Sequence, residues 1–119
     1  MNNFLHIHPI ADCVRREQPL YIEDIVIVMD GSGSVQRCEF EKGKTALQHM
    51  MRLENAGRND TKYAAVTFAT SATVNFKFLP YFSAANEITQ IPYPGGSTNT
   101  QSGLTEAKKL FDDPSSGMC

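Results

Sequence analysis

Five apolar residues in a row, Ile25-Val-Ile-Val-Met29, run without a polar break into Asp30-Gly-Ser-Gly-Ser34. A strand with one face in water would alternate apolar and polar side chains. This run does not, so it reads as a strand covered on both faces, as in a parallel sheet. The glycines behind it permit the sharp turn by which such a strand leaves the sheet.

From about Gln36 to Glu54 the period turns helical, with Phe40, Leu47, Met50 and Met51 on one face and Lys42, Lys44 and Arg52 elsewhere. Gly57 and Asn59 supply turn chemistry at its end. Tyr63 to Ala69 reads as a second buried strand. Ala72 to Leu79 alternates instead, Val74, Phe76 and Phe78 against Thr73, Asn75 and Lys77, and the short Thr70-Ser71 link predicts an antiparallel hairpin. Lys77 suits an outward position at a sheet edge. Ser83 can cap a helix through about Ile91. Pro92-Tyr-Pro-Gly-Gly96 opens a loop, and a last helix over about Gln101 to Phe111 aligns Leu104, Ala107 and Phe111. The succession is that of one α/β domain over 22–119, behind a lead-in or linker over 1–21. Its last helix should feed a further buried strand that these residues do not contain. One side of the first strand is therefore expected to be bare, and a bare edge predicts self-association.

A chain of 119 residues allows one domain of modest size with a single core. A formal net charge of −2 without any Lys/Arg cluster argues against nucleic acid and anionic membrane surfaces as partners. No apolar run approaches the roughly 20 residues that span a bilayer, so this segment is not expected to insert in a membrane. Met1 to His8 has neither the basic start nor the apolar middle of a signal peptide, which leaves an intracellular protein or a piece of a longer one. Cys13, Cys38 and Cys119 are too few and too widely spaced for a zinc site. The triplet Asn59-Asp-Thr61 would accept a glycan in a secreted chain. His6, His8 and His49 read as solvated side chains.

The chemistry concentrates in two loops. Asp30, Ser32 and Ser34 lie just past the carboxyl end of the first strand, where open α/β sheets collect ligands. Thr98 and Thr100 lie in a Gly-rich loop that starts a helix at the same end of the sheet. Together they offer one carboxylate and several hydroxyls, with no soft donor. Such a set selects a hard cation, Mg2+ most naturally, with Mn2+ or Ca2+ as alternatives. Asp-Gly-Ser-Gly-Ser on its own would equally serve as a capped turn between strand and helix; the second loop at Gly95-Gly-Ser-Thr-Asn-Thr100 tips the balance.

Asp30-x-Ser32-x-Ser34 resembles the Asp-x-Ser-x-Ser signature of von Willebrand factor type A and integrin I domains, and Gly96-Ser-Thr98-Asn-Thr100 is similar to their Gly-x-Thr-x-Thr loop. The resemblance covers about residues 22–119 and includes Ser102-Gly-Leu-Thr-Glu-Ala107. It implies a Rossmann-like open, mostly parallel sheet with one antiparallel edge strand and flanking helices, cut short before its last strands. It also implies a metal-ion-dependent adhesion site (MIDAS). There Ser32 and Ser34 would coordinate through their hydroxyls, Asp30 and Thr98 directly or through water, and Thr100 would support the loop. The family's further aspartate, at the end of the next strand, has no counterpart. Asp112 and Asp113 stand a helix of roughly 16 Å away and read as polar residues at its end. On this topology Cys13 and Cys119 share the sheet end opposite the metal, while Cys38 sits beside it. A bridge needs Cα atoms within about 7 Å, which leaves open either Cys13–Cys119 or three reduced thiols.

The function implied is non-enzymatic adhesion or protein binding, in which an Asp or Glu of a matrix protein or receptor completes the metal shell. Members of that kind are often extracellular, so a secreted protein of the extracellular matrix is expected. An intracellular type A domain in a chelatase or ATPase assembly would use the same residues in another compartment. An enzyme fits less well. A phosphatase of the haloacid dehalogenase type needs a second acid where Ser32 stands, a P-loop needs Gly-Lys-Ser/Thr, and a serine nucleophile wants a nearby histidine.

Overall fold

The structure, a computed structural model, describes residues 5–7, 23–55 and 61–117. In chain order the elements are β1 (Leu5–Ile7), β2 (Glu23–Asp30), α1 (Arg37–Asn55), β3 (Lys62–Phe68), β4 (Ala72–Pro80), α2 (Tyr81–Thr89) and α3 (Thr100–Asp112). The sheet runs β1-β2-β3-β4. The apolar run forms β2, which pairs in parallel with β3 from Asp24 opposite Lys62 to Asp30 opposite Phe68, with α1 as the crossover. β4 returns antiparallel to β3 as the hairpin expected from Thr70-Ser71. With helices on both faces, this is the α/β, Rossmann-like arrangement that the sequence implied. On its other side β2 meets β1, antiparallel, with Leu5 opposite Ile25 and Ile7 opposite Glu23. The sequence reading placed these residues in the lead-in. A Leu-His-Ile triplet is too short to signal a strand by pattern, and it lines only the first part of β2.

Two apolar clusters cover the sheet. Ile27, Met29, Tyr63, Ala65 and Phe76 pack with Phe40 and Met51 of α1 and with Ala84 and Ile88 of α2. Val26, Ala64, Val66 and Phe78 pack with Ala107 and Leu110 of α3. Neighbours in β2 and β3 thus point to opposite layers, which is why neither strand alternates in hydrophobicity. Each large side chain so buried contributes about 1.5–3 kcal/mol.

Several expectations about faces and ends need correction. Val74, Phe76 and Phe78 do not share a face: Phe76 joins the α1/α2 layer, while Val74 and Phe78 stay with α3. Val66 lies opposite Val74, Ala65 opposite Phe76 and Tyr63 opposite Leu79, so two irregularities each insert a residue into β4 and flip the alternation. On α1 the buried stripe is Phe40, Lys44 and Met51, with Leu47 partly covered, whereas Met50 is 57% exposed. One residue is about 100° of helix, enough to turn Met50 out. Lys44 enters the core because its ammonium finds oxygens there, donating to the Ile91 carbonyl at 2.7 Å and the Thr89 carbonyl at 3.4 Å.

Ser83 is not a cap; α2 starts directly from Pro80 and ends at Thr89, with Gln90 at its C-cap. The fixed φ of proline, here −66°, is already helix-compatible and starts the turn early. On α3 the buried positions are Gly103, Ala107 and Leu110, and Leu104 is 46% exposed. A Cβ on Gly103 would meet the Phe68 ring at 2.7 Å, so the helix presents its smallest residue to the sheet and displaces Leu104 to the rim. Lys77 is exposed and His49 lies on the surface of α1, as read from sequence. Cys13, Cys119, His8, Gly57 and Asn59 lie outside the described residues.

Candidate metal centre

β2 delivers Asp30 to the carboxyl edge of the sheet, and the chain then folds back on it. The Ser32 amide donates to Asp30 Oδ1 at 2.9 Å, which fixes the carboxylate over the turn. The Ser32 and Ser34 hydroxyls face each other at 2.9 Å, and Ser32 is fully buried. The turn closes with Val35 N–H on the Ser32 carbonyl at 3.0 Å and Gln36 N–H on the Gly33 carbonyl at 3.2 Å. Gln36, at φ 71°, is a non-glycine residue in left-handed conformation; it reverses the chain into α1.

The Gly-rich loop is tied onto the same turn. Gly95 N–H donates to the Gly31 carbonyl at 2.9 Å and Gly33 N–H to the Gly96 carbonyl at 2.7 Å. Gly31 has to be glycine: a Cβ there would lie 2.6 Å from Pro94 Cδ and 3.0 Å from Thr67 Cγ2. Downstream, Ser97 N–H donates to the Thr70 hydroxyl at 3.1 Å and Asn99 N–H to the Ala69 carbonyl at 2.8 Å. Asn99 then caps α3, accepting from Ser102 N–H at 3.2 Å. Three loops, after β2, after β3 and before α3, therefore converge at one end of the sheet.

Asp30 is joined to Ser32 through the Ser32 amide, and Ser32 to Ser34 through the hydroxyls. Thr98 is held between two anchored neighbours in the adjoining loop, exposed and not hydrogen-bonded to the Asp30–Ser34 turn. Thr100 opens α3. Asp112 and Asp113 occupy the far end of that helix, engaged with Lys108 at 2.8 Å and Lys77 at 3.5 Å, away from the loops. Two hydrogen bonds from Ser115, reinforced by the Lys77 charge, hold the Asp113 carboxyl below the usual carboxylate range.

The donors suit a small hard cation. They are one carboxylate plus hydroxyls, and no group of three or more His, Cys, Asp or Glu side chains gathers among the described residues. An octahedral ion with bonds of about 2.0–2.1 Å sets neighbouring ligand oxygens about 2.9 Å apart, which matches the 2.9 Å between the serine hydroxyls.

Two residues of this region were not singled out from sequence. The Tyr93 hydroxyl donates to the Ser32 carbonyl at 3.1 Å, and its ring packs on Phe40 with centroids 5.4 Å apart. The Arg37 guanidinium lies over the Tyr93 ring, 5.1 Å from its centroid. A tyrosine between two prolines in a loop was the available signal, since a loop needs no large aromatic unless it packs.

The family description "von Willebrand factor type A domain" matches residues 24–118. The chain belongs to that family. Among curated relatives of this type A domain, matrilin-3 of Gallus gallus is 34% identical over 79 residues, covering 66% of this chain and 17% of the relative. The collagen alpha-6(VI) chain of Homo sapiens is 32% identical over 104 residues, covering 85% of this chain and 4% of the relative. The type A domain thus spans under a fifth of the length of either relative. Among solved structures, proximal thread matrix protein 1 from the mussel byssus, with a zinc-occupied MIDAS motif, superposes with a TM-score of 0.62 at 23% identity. It covers 71% of this chain and 24% of that one, a likeness of fold.

Proposed function

We propose that this type A domain is a non-enzymatic, extracellular protein-binding module whose affinity depends on a divalent cation. Asp30, Ser32, Ser34 and Thr98 would hold the ion, Mg2+ in the first place and Mn2+ or Ca2+ in the second. The single observation that carries this reading is the pair of serine hydroxyls 2.9 Å apart beside an Asp30 carboxylate locked by the Ser32 amide. When bound, the ion supplies a Lewis-acidic position that accepts a partner's carboxylate. The protein's own part is to hold the carboxylate on the Ser32 amide, to pair the two serine hydroxyls and to keep Thr98 at the mouth. Because only one anionic ligand is present, a charge of +1 is left over, and an Asp or Glu of a matrix protein or receptor is the complementary group. Matrilin and collagen chains among the relatives support a matrix setting, and the zinc-occupied MIDAS motif of the byssus protein supports a metal at this place in the fold.

Calorimetric titration with MgCl2 and MnCl2 tests the reading. The unsubstituted chain should give saturable binding that is abolished in Ser34→Ala and in Ser32→Ala. Absence of binding by the unsubstituted, folded chain would sink it.

A further inference from the structure

We infer that Arg37 is a second anchor for the partner, so that the surface selects ligands carrying two acidic residues rather than one. This rests on the metal-centred reading above and deepens it. Arg37 is the first residue of α1 and follows Ser34 by three positions, so its Cα lies no more than about 11 Å from that of Ser34. Its side chain is exposed, yet its guanidinium is not free to roam: it lies over the Tyr93 ring at 5.1 Å. Tyr93 is in turn fixed by its hydroxyl on the Ser32 carbonyl and by its ring on Phe40. The cation is therefore referenced to the same turn that presents the serine hydroxyls.

No carboxylate among the described residues answers this charge. Nearby Glu39 pairs with Lys42 at 3.3 Å and Glu41 with Lys44 at 3.1 Å. Arg37 keeps its planar fork of donors available while stacked, the state in which a guanidinium binds a carboxylate bidentately with the least loss of freedom. Lysine would supply the charge without the stack or the fork. An extended partner advances about 3.3 Å per residue, so acids two positions apart can reach the metal with one carboxylate and Arg37 with the other.

The test compares two probe peptides, acetyl-Gly-Glu-Gly-amide and acetyl-Gly-Glu-Gly-Glu-Gly-amide, by NMR titration in MgCl2 and again in EDTA. With Mg2+ the two-acid peptide should bind about five- to tenfold tighter than the one-acid peptide. Arg37→Met should erase that advantage while leaving one-acid binding unchanged, and Arg37→Lys should restore only part of it. If the one-acid peptide binds in Mg2+ but the second acid adds nothing, or its advantage survives Arg37→Met, the Arg37 anchor is overturned and the metal reading stands. If neither peptide binds in Mg2+, both fall.

Discussion

The Tyr93 hydroxyl donates to the Ser32 carbonyl across 3.1 Å, joining the loop before α3 to the turn that presents the candidate ligands. That carbonyl also accepts from Val35 N–H at 3.0 Å, so the turn itself survives loss of the tyrosine bond. What Tyr93 adds is registration between the two loops. Tyr93→Phe keeps the ring on Phe40 and removes only the hydroxyl. It should lower stability by about 0.5–1.5 kcal/mol and weaken Mg2+ binding about two- to tenfold, read by urea unfolding and calorimetry on the same protein. Unchanged Mg2+ affinity would show that the loops are registered by Gly33 and Gly95 alone.

Two helical glycines should respond in opposite directions. Gly103 faces the Phe68 ring, and an added Cβ would sit 2.7 Å from Cδ2 and 3.0 Å from Cγ. Gly103→Ala is expected to cost about 1–3 kcal/mol by forcing α3 off the sheet. Gly43, inside α1, has open space where its Cβ would go. Gly43→Ala should stabilise by about 0.5–1 kcal/mol, because only the backbone entropy term remains. Urea midpoints of the two variants check the pair, and a common direction of change would contradict the packing described.

Legibility from sequence followed the reach of the signal. β2, the β3–β4 hairpin and the Asp30–Ser34 turn were readable because each is written in consecutive residues. Phe76, Lys44 and Leu104 were misplaced because their faces depend on partners remote in the chain. The irregular pairing of β4 with β3 turned Phe76 over, the carbonyls of Thr89 and Ile91 drew Lys44 inward, and Phe68 selected Gly103 over Leu104. Asp30, Ser32 and Ser34 were found together for the same reason that β2 was, while Tyr93 reaches the turn, and Arg37 reaches Tyr93, through contacts that no spacing encodes.

Lys44 offers a test of such a remote partner. It is 6% exposed, and its ammonium caps carbonyls at the end of α2, just upstream of Tyr93. Lys44→Met keeps most of the apolar stem and leaves those carbonyls without their donor. A loss of about 1–3 kcal/mol is expected, measured by thermal or urea unfolding. A gain would mean that desolvating the ammonium outweighs its hydrogen bonds.

At the far end of α3, Asp113 gives a prediction in pH. Its carboxylate accepts from the Ser115 hydroxyl at 2.7 Å and the Ser115 N–H at 2.9 Å, with Lys77 at 3.5 Å. These hold its pKa below the ordinary 3.8, the hydroxyl being the largest cause. A depressed acid stabilises the fold above its unfolded value, and that contribution disappears as pH falls through the folded value. The window therefore opens near pH 4 and closes below it. Ser115→Ala should move the Asp113 titration upward, toward 3.8, and Lys77→Met should move it upward by less. Carboxyl-carbon NMR titration of Asp113 reads both shifts directly. A larger shift in Lys77→Met than in Ser115→Ala would rank the lysine above the Ser115 hydroxyl as a cause, the Ser115 N–H bond being kept in both variants.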